Sequence, residues 1–270
     1  MKPIIIANWK MKLGLKESLD LTEKIKKGLI KKENRIYDKF IGVQNRWSEK
    51  MDIVLCPSFT AISDVRRVAA NTGFYIGAQD IFWEEKGAYT GEICAAQLKE
   101  IGVKYVIIGH SERRANLGET DEMIHKKMRL ALEADLIPVL CIGETFEERK
   151  SGQKDYVLVK QLIKALEGVD INKNQRLIIA YEPVWVIGSG QAVAPEEAEL
   201  SAKSIKAALL DLFSEEFILE KISIAYGGSV SGKDAKQFLD QPSINGLLVG
   251  TCSLKADEFL AIINNCININ

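Results

Sequence analysis

The sequence has little histidine: two residues, His110 and His125, in a chain of 270. That supply leaves little for a transition-metal site. The five cysteines, Cys56, Cys94, Cys141, Cys252 and Cys266, are scattered and have no metal or disulfide spacing. An odd count without a framework reads as reduced thiols in a cytoplasmic protein. No run of about 18 apolar residues occurs, so nothing is expected to span a membrane. Charge of either sign is not in excess: the formal net charge is −1. Neither nucleic acid nor an anionic membrane surface is therefore expected as a partner. The start, Met1-Lys2-Pro3-Ile4, leads directly into an apolar run and has no signal-peptide pattern.

What is present is ordinary globular material, 47% hydrophobic and 27% charged. Short apolar runs alternate with longer amphipathic segments. The strand candidates are Ile4–Ala7, Ile53–Cys56, Tyr75–Ala78, Tyr105–Ile108, Pro138–Ile142, Leu177–Tyr181, Ile222–Tyr226 and Leu247–Val249. Between them lie helical patterns. Ala198, Ala202, Ile205, Leu209 and Leu212 share one face, and so do Ala256, Phe259, Leu260, Ile263 and Ile267. Pro195 ahead of Glu196 and Glu197 marks a helix start, and Ser231 three before Asp234 has capping-box spacing. Eight strand–helix units without a break in composition predict an α/β protein, a single-domain (β/α)8 barrel over residues 1–270. Strand count alone leaves an open doubly wound sheet as the alternative.

One stretch breaks the rhythm. Residues 31–51 form a long link between the first helix and the second strand, and carry Tyr37, Phe40 and Trp47. An extended or extra surface helix is expected there. Lys26, Lys27, Lys31 and Lys32 read as a solvated helix face.

Chemistry gathers where strands give out, as barrel enzymes require. Asn8 and Lys10 follow the first strand. Gly109-His110-Ser111-Glu112-Arg113-Arg114 follows the fourth, and Glu182 the sixth. Gly227-Gly228-Ser229 follows the seventh and Gly250-Thr251 the eighth. Each has an ordinary explanation alone: a solvated lysine, a structural histidine, an ion-pair cluster, simple turns. Such turns also expose N–H groups that can cradle phosphate. Their shared placement favours a site. Glu182 heads Pro183-Val184-Trp185-Val186-Ile187-Gly188-Ser189-Gly190, an apolar loop between a rigid start and a glycine end. That pattern suits a lid over a carboxylate base.

Asn8-Trp9-Lys10-Met11, Gly91-Glu92-Ile93, Gly109 to Arg114, Cys141-Ile142-Gly143-Glu144, Tyr181-Glu182-Pro183-Val184-Trp185, Tyr226-Gly227-Gly228-Ser229-Val230 and Val249-Gly250 resemble the triosephosphate isomerase family, in its order and across the chain. The resemblance implies a (β/α)8 barrel that interconverts glyceraldehyde 3-phosphate and dihydroxyacetone phosphate in glycolysis and gluconeogenesis. It implies no cofactor and no metal. By position, Glu182 matches the base, His110 the electrophile and Lys10 the cation that stabilises the enediolate. Asn8 supports the same oxygens, and Ser111 and Glu112 belong to their surroundings. Gly188, Ser229, Gly250 and Thr251 match the phosphate donors, and Trp185, Val186, Ile187, Gly188, Ser189 and Gly190 the closing lid.

Val186 and Ser189 stand where the family's lid more usually has alanine and threonine, and Thr251 where a second glycine is common. The resemblance also implies a homodimer. Gln79 to Thr90 matches the loop that plugs a neighbouring subunit, with Phe82, Trp83, Tyr89 and Thr90 as its contacts. Two other readings stay open: a barrel enzyme using Lys10 as a Schiff-base nucleophile, and a phosphate-binding barrel of another or lost activity.

Overall fold

The computed structural model describes residues 1–33, 46–172 and 174–267. Eight strands, β1 (Ile4–Asn8), β2 (Asp52–Cys56), β3 (Tyr75–Ala78), β4 (Tyr105–Ile108), β5 (Ile137–Ile142), β6 (Leu177–Tyr181), β7 (Ile222–Tyr226) and β8 (Gly246–Val249), run parallel and pair in chain order. Each lies within one residue of its expected bounds. Pairing of β8 with β1, Ile5 opposite Leu247 and Ile6 opposite Leu248, closes the barrel and excludes the open sheet.

The helices on the outside are α1 (Leu15–Glu33), α2 (Arg46–Lys50), α3 (Ile62–Val68), α4 (Ala95–Glu100), α5 (Ser111–Leu117), α6 (Asp121–Glu133), α7 (Phe146–Lys150), α8 (Lys154–Leu166), α9 (Pro195–Leu209), α10 (Glu215–Lys221), α11 (Ala235–Leu239) and α12 (Ala256–Ile267). Pro195 opens α9 as expected, but Leu212 falls past its end. Ser231 N–H donates to Asp234 Oδ1 at 2.7 Å, yet the helix begins only at Ala235, because residues 232–234 form a turn.

The strands read as unbroken apolar runs because both faces are covered. Alternate residues divide between two cores. Ile4, Ile6, Val54, Cys56, Tyr105, Ile107, Ile178 and Ala180 fill the barrel. Their neighbours Ile5, Ala7, Ile53, Leu55, Val106, Ile108 and Ile179 pack beneath the helices. This parity places the functional ends. Counting on from Ile4 and Ile6 brings Asn8 inward; from Ile178 and Ala180, Glu182; from Leu248, Gly250.

The long link is only partly described. Within it, α2 carries Trp47, which is buried and packs on Phe74 with ring centroids 5.1 Å apart. This matches the expected extra helix. Tyr37 and Phe40 lie outside the described residues. Of the expected solvated lysines, Lys27 is exposed, while Lys26 Nζ donates to Val68 O at 3.2 Å. No helix among the described residues is long and apolar enough to cross a membrane.

A buried ionic cluster sits behind β3 and β4. Lys127 Nζ on α6 is 2.6 and 2.8 Å from the two Asp80 oxygens and also contacts Glu119. Arg113 on α5 lies 2.8 Å from Asp80 and 2.9 Å from Glu119. Lys127 is 1% exposed. Two anions there are tolerable only because two cations answer them. Lys127→Ala is expected to cost about 3–5 kcal/mol of unfolding free energy, because it strands buried charge. Urea unfolding of the two proteins checks this.

Candidate active site

Glu182 lies immediately beyond β6 and is 1% exposed. Its N–H donates to Ile142 O at 2.8 Å, carrying the strand register one residue further. Two glycines make room for it. A Cβ on Gly143 would stand 1.7 Å from the Glu182 carbonyl oxygen, and one on Gly227 3.0 Å from its Cγ. The carboxylate accepts from Ser111 N–H at 2.9 Å through Oε2, and Oε1 lies 3.0 Å from His110 Nε2.

His110 reaches the mouth because Gly109 adopts φ +73°, a left-handed turn that interrupts the β4 alternation. It then caps α5: Nδ1 accepts from Glu112 N–H at 3.2 Å. With Nδ1 engaged as an acceptor, Nε2 is the ring nitrogen left to face Glu182.

Lys10 also has a left-handed backbone, φ +54°, uncommon for a residue with a Cβ. Its conformation is held from both sides. Its N–H donates to Asn8 Oδ1 at 3.0 Å, and its carbonyl accepts from Gln79 Nε2 at 2.9 Å. Gln79 also donates to Cys56 O at 3.0 Å. The ammonium contacts Glu112. Lys10, Asn8 and His110 line one recess with Gly188, Gly228, Ser229, Gly250 and Thr251. Every expected catalytic and substrate-binding residue except Glu182 is on its wall. Glu182 instead lines a neighbouring cavity, together with Ser111, Cys141 and Gly143.

The recess wall is glycine where it must be. A Cβ on Gly228 would come 2.2 Å from the Tyr226 hydroxyl oxygen, and one on Gly250 3.2 Å from Lys10 Cε. Thr251 needs no glycine, since Lys10, Asn71 and Asp135 are the only non-glycine residues with positive φ among those described.

The lid leaves Pro183 through a short 3-10 turn, Val184–Val186. Gly188 and Gly190 both have φ +76° and are exposed with Ser189. Ser189 Oγ donates to Val186 O at 2.8 Å, and Val193 N–H to the Tyr226 hydroxyl at 3.4 Å. Trp185 anchors the root: its Nε1 donates to Glu144 Oε1 at 3.0 Å, and the Tyr181 hydroxyl reaches the same oxygen at 3.3 Å. Burial raises the Glu144 carboxyl above its usual range despite those bonds. Arg149 stacks on Trp185, 4.6 Å from the ring centre, and pairs with Glu197.

In the Gln79–Thr90 loop, Phe82 is covered from within by Trp83 and Tyr89, at ring distances of 4.2 and 4.7 Å. Tyr89 and Thr90 are exposed, and Met11 beside Lys10 is 94% exposed. Sequence reasoning missed the tie from Gln79 to Lys10 and the anchoring by Glu144. Glu144 belonged to a matched motif without a role. For Gln79, nothing in the local sequence signals a bond 69 residues away.

A closed parallel barrel with a buried glutamate, a histidine and a lysine gathered at the glycine-walled ends of its strands has the layout of a barrel enzyme. Likeness to known proteins makes the class specific. The triosephosphate isomerase family profile matches residues 3–266. The triosephosphate isomerase of Alkaliphilus oremlandii (strain OhILAs) is 43% identical over 263 residues, covering 97% of this chain and 99% of its own. That of Caldanaerobacter subterraneus subsp. tengcongensis is 41% identical over 263 residues, with 97% and 99% covered. That of Dictyoglomus turgidum is 39% identical over 264 residues, with 98% and 99% covered. The chain belongs to the triosephosphate isomerase family.

Trp185→Phe removes one of the two hydrogen-bond donors to Glu144 Oε1, and Glu144 Oε2 is already buried without a partner. The expected cost is about 1–3 kcal/mol of stability, read as a lower urea midpoint.

Proposed function

We propose that this chain interconverts glyceraldehyde 3-phosphate and dihydroxyacetone phosphate through an enediolate. The observation that carries the reading is the facing pair at the mouth: Glu182, 1% exposed, with Oε1 3.0 Å from Nε2 of His110. In the proposed reaction, Glu182 removes a proton from the carbon beside the substrate carbonyl. His110 passes its Nε2 proton to the carbonyl oxygen and the same nitrogen then takes up the proton of the neighbouring hydroxyl, so that one proton moves between the two oxygens, while the Lys10 ammonium stabilises the negative charge that develops there. Glu182 returns its proton to the neighbouring carbon. Nothing is gained or lost overall, so the reaction consumes no cofactor.

Because Glu182 is tied to Ser111 and lies outside the recess, its side chain must rotate inward before it can act. Substrate phosphate, held by Gly188, Ser229, Gly250 and Thr251, supplies binding energy remote from the reacting carbons. Part of that energy draws the lid over the site. Closure excludes water and keeps the enediolate from losing phosphate. Asn8 holds Lys10 and the substrate oxygens, and Glu112 sets the position of the ammonium. A neutral imidazole suits this task, because it donates without having to lose a full charge.

We also place the chain in a homodimer. Tyr89, Thr90 and Met11 are each exposed, and Tyr and Met are among the residue types that interface centres favour. Phe82 holds the loop from behind. Five free cysteines suit a reducing, cytoplasmic setting.

Glu182→Gln keeps the shape but cannot accept a proton. Turnover of glyceraldehyde 3-phosphate in a coupled assay is expected to fall by about 10²–10⁴-fold, with an unchanged circular dichroism spectrum. Equal turnover would overturn the assignment of the base. Light scattering is expected to give twice the chain mass, and a fully active monomer would refute the dimer.

A further inference from the structure

Behind the proposed base lies a cavity of about 300 Å³, with Glu182, Gly143, Cys141, Ser111, Arg114 and Gln161 among its lining residues. Gln161, on α8, is the one amide side chain in that wall, and it is bound in an unusual way. Its Oε1 accepts from Gly143 N–H at 2.8 Å, and its Nε2 donates to Gly143 O at 3.1 Å. A single side chain thus satisfies both polar groups of one backbone residue, as a neighbouring strand would. Gly143 is the first residue beyond β5, and its own N–H and C=O are bonded to Gln161 while Glu182 N–H and Val184 N–H bond to Ile142 O and Glu144 O on either side of it.

Gly143 in turn approaches Glu182 more closely than any side chain would allow: a Cβ added there would fall 1.7 Å from the Glu182 carbonyl oxygen. The Glu182 N–H is bonded to Ile142, one residue earlier. The main chain of the base therefore rests on residues 142 and 143, and residue 143 is held by Gln161. We infer that Gln161 is a positioning residue for the reaction: its carboxamide extends the β5 edge by one residue and so fixes the backbone from which Glu182 swings into the recess. It touches no substrate. The inference rests on Glu182 being the base.

The chemistry of an amide is required here, because one atom must accept and its neighbour must donate. Leucine supplies neither. An ionised glutamate can accept from Gly143 N–H, but it turns its second oxygen on the Gly143 carbonyl. A protonated glutamate restores both bonds. The charged and titratable groups around that position are Glu182, Glu148, Arg114 and the Cys141 thiol on the cavity wall. Arg114 is committed to Asp121, and burial holds the thiol neutral. Of the helices packed on α8, α6 brings Glu122, which lies near Lys160 and Lys164, and α9 brings Glu197, paired with Arg149. Two carboxylates on the wall favour the protonated form of a third.

The test compares wild type, Gln161→Leu, Gln161→Glu and Glu182→Gln in one coupled assay, with thermal melts by circular dichroism taken first. Gln161→Leu is expected to lower kcat by about tenfold to a hundredfold through misplacement of the base, while the dissociation constant for inorganic phosphate stays at the wild-type value. Gln161→Glu is expected to show a kcat ratio to wild type that rises steadily from alkaline to mildly acidic buffer. That ratio involves only Gln161→Glu and wild type, so it holds even where Gln161→Leu fails to fold. A folded Gln161→Leu with wild-type kcat, or a Gln161→Glu ratio that does not change with pH, would overturn the role of Gln161. Should Glu182→Gln turn over as fast as wild type, the base assignment itself fails, a separate outcome from either of these.

Discussion

The mouth of the barrel depends on how closely two strand ends approach each other. Just past the end of β5 a glycine, Gly143, is pressed against the carbonyl of Glu182, and no residue with a Cβ could stand there unless the backbone moved. That approach lets β6 continue its inward parity by one residue past its last ladder partner. The residue so placed is a glutamate, shielded from water, bonded to the Ser111 N–H and 3.0 Å from the His110 imidazole. Lengthen that contact by the width of a methyl group and the carboxylate no longer meets the imidazole. The reactive geometry is thus a by-product of backbone packing more than of any attraction between the reactive groups.

Much of this was legible beforehand. The strands could be read because they are buried on both faces and therefore apolar throughout. Glu182, Asn8 and Gly250 could be placed because parity is a property of the strand, and it runs on past the strand's end. The matched motifs then supplied roles that parity alone cannot. What could not be read has one physical character: contacts between residues distant in sequence, with no periodicity to announce them. The Gln79 bond to Lys10 spans 69 residues. The buried cluster of Lys127, Asp80, Glu119 and Arg113 looks, residue by residue, like ordinary surface charge. Within its own loop Phe82 packs against two rings, those of Trp83 and Tyr89, a contact the local sequence does not announce.

The lid illustrates a division of labour between stiffness and freedom. Its root is tied down by the indole of Trp185, the Tyr181 hydroxyl and the stacked Arg149. Its tip has two left-handed glycines and few contacts. In the proposed closure, a loop anchored at its root and slack at its tip swings as a flap, where a loop slack throughout would spread over many conformations.

The left-handed turn at Lys10 has a bearing on how the chain is built. A lysine does not adopt that backbone unaided, and the carboxamide that holds its carbonyl arrives from the end of β3. The segment around Lys10 emerges early in synthesis, yet it can take its working shape only after the third strand has docked. The cation of the site is in this sense a late product of assembly, and a chain cut before residue 79 would carry the lysine without its conformation.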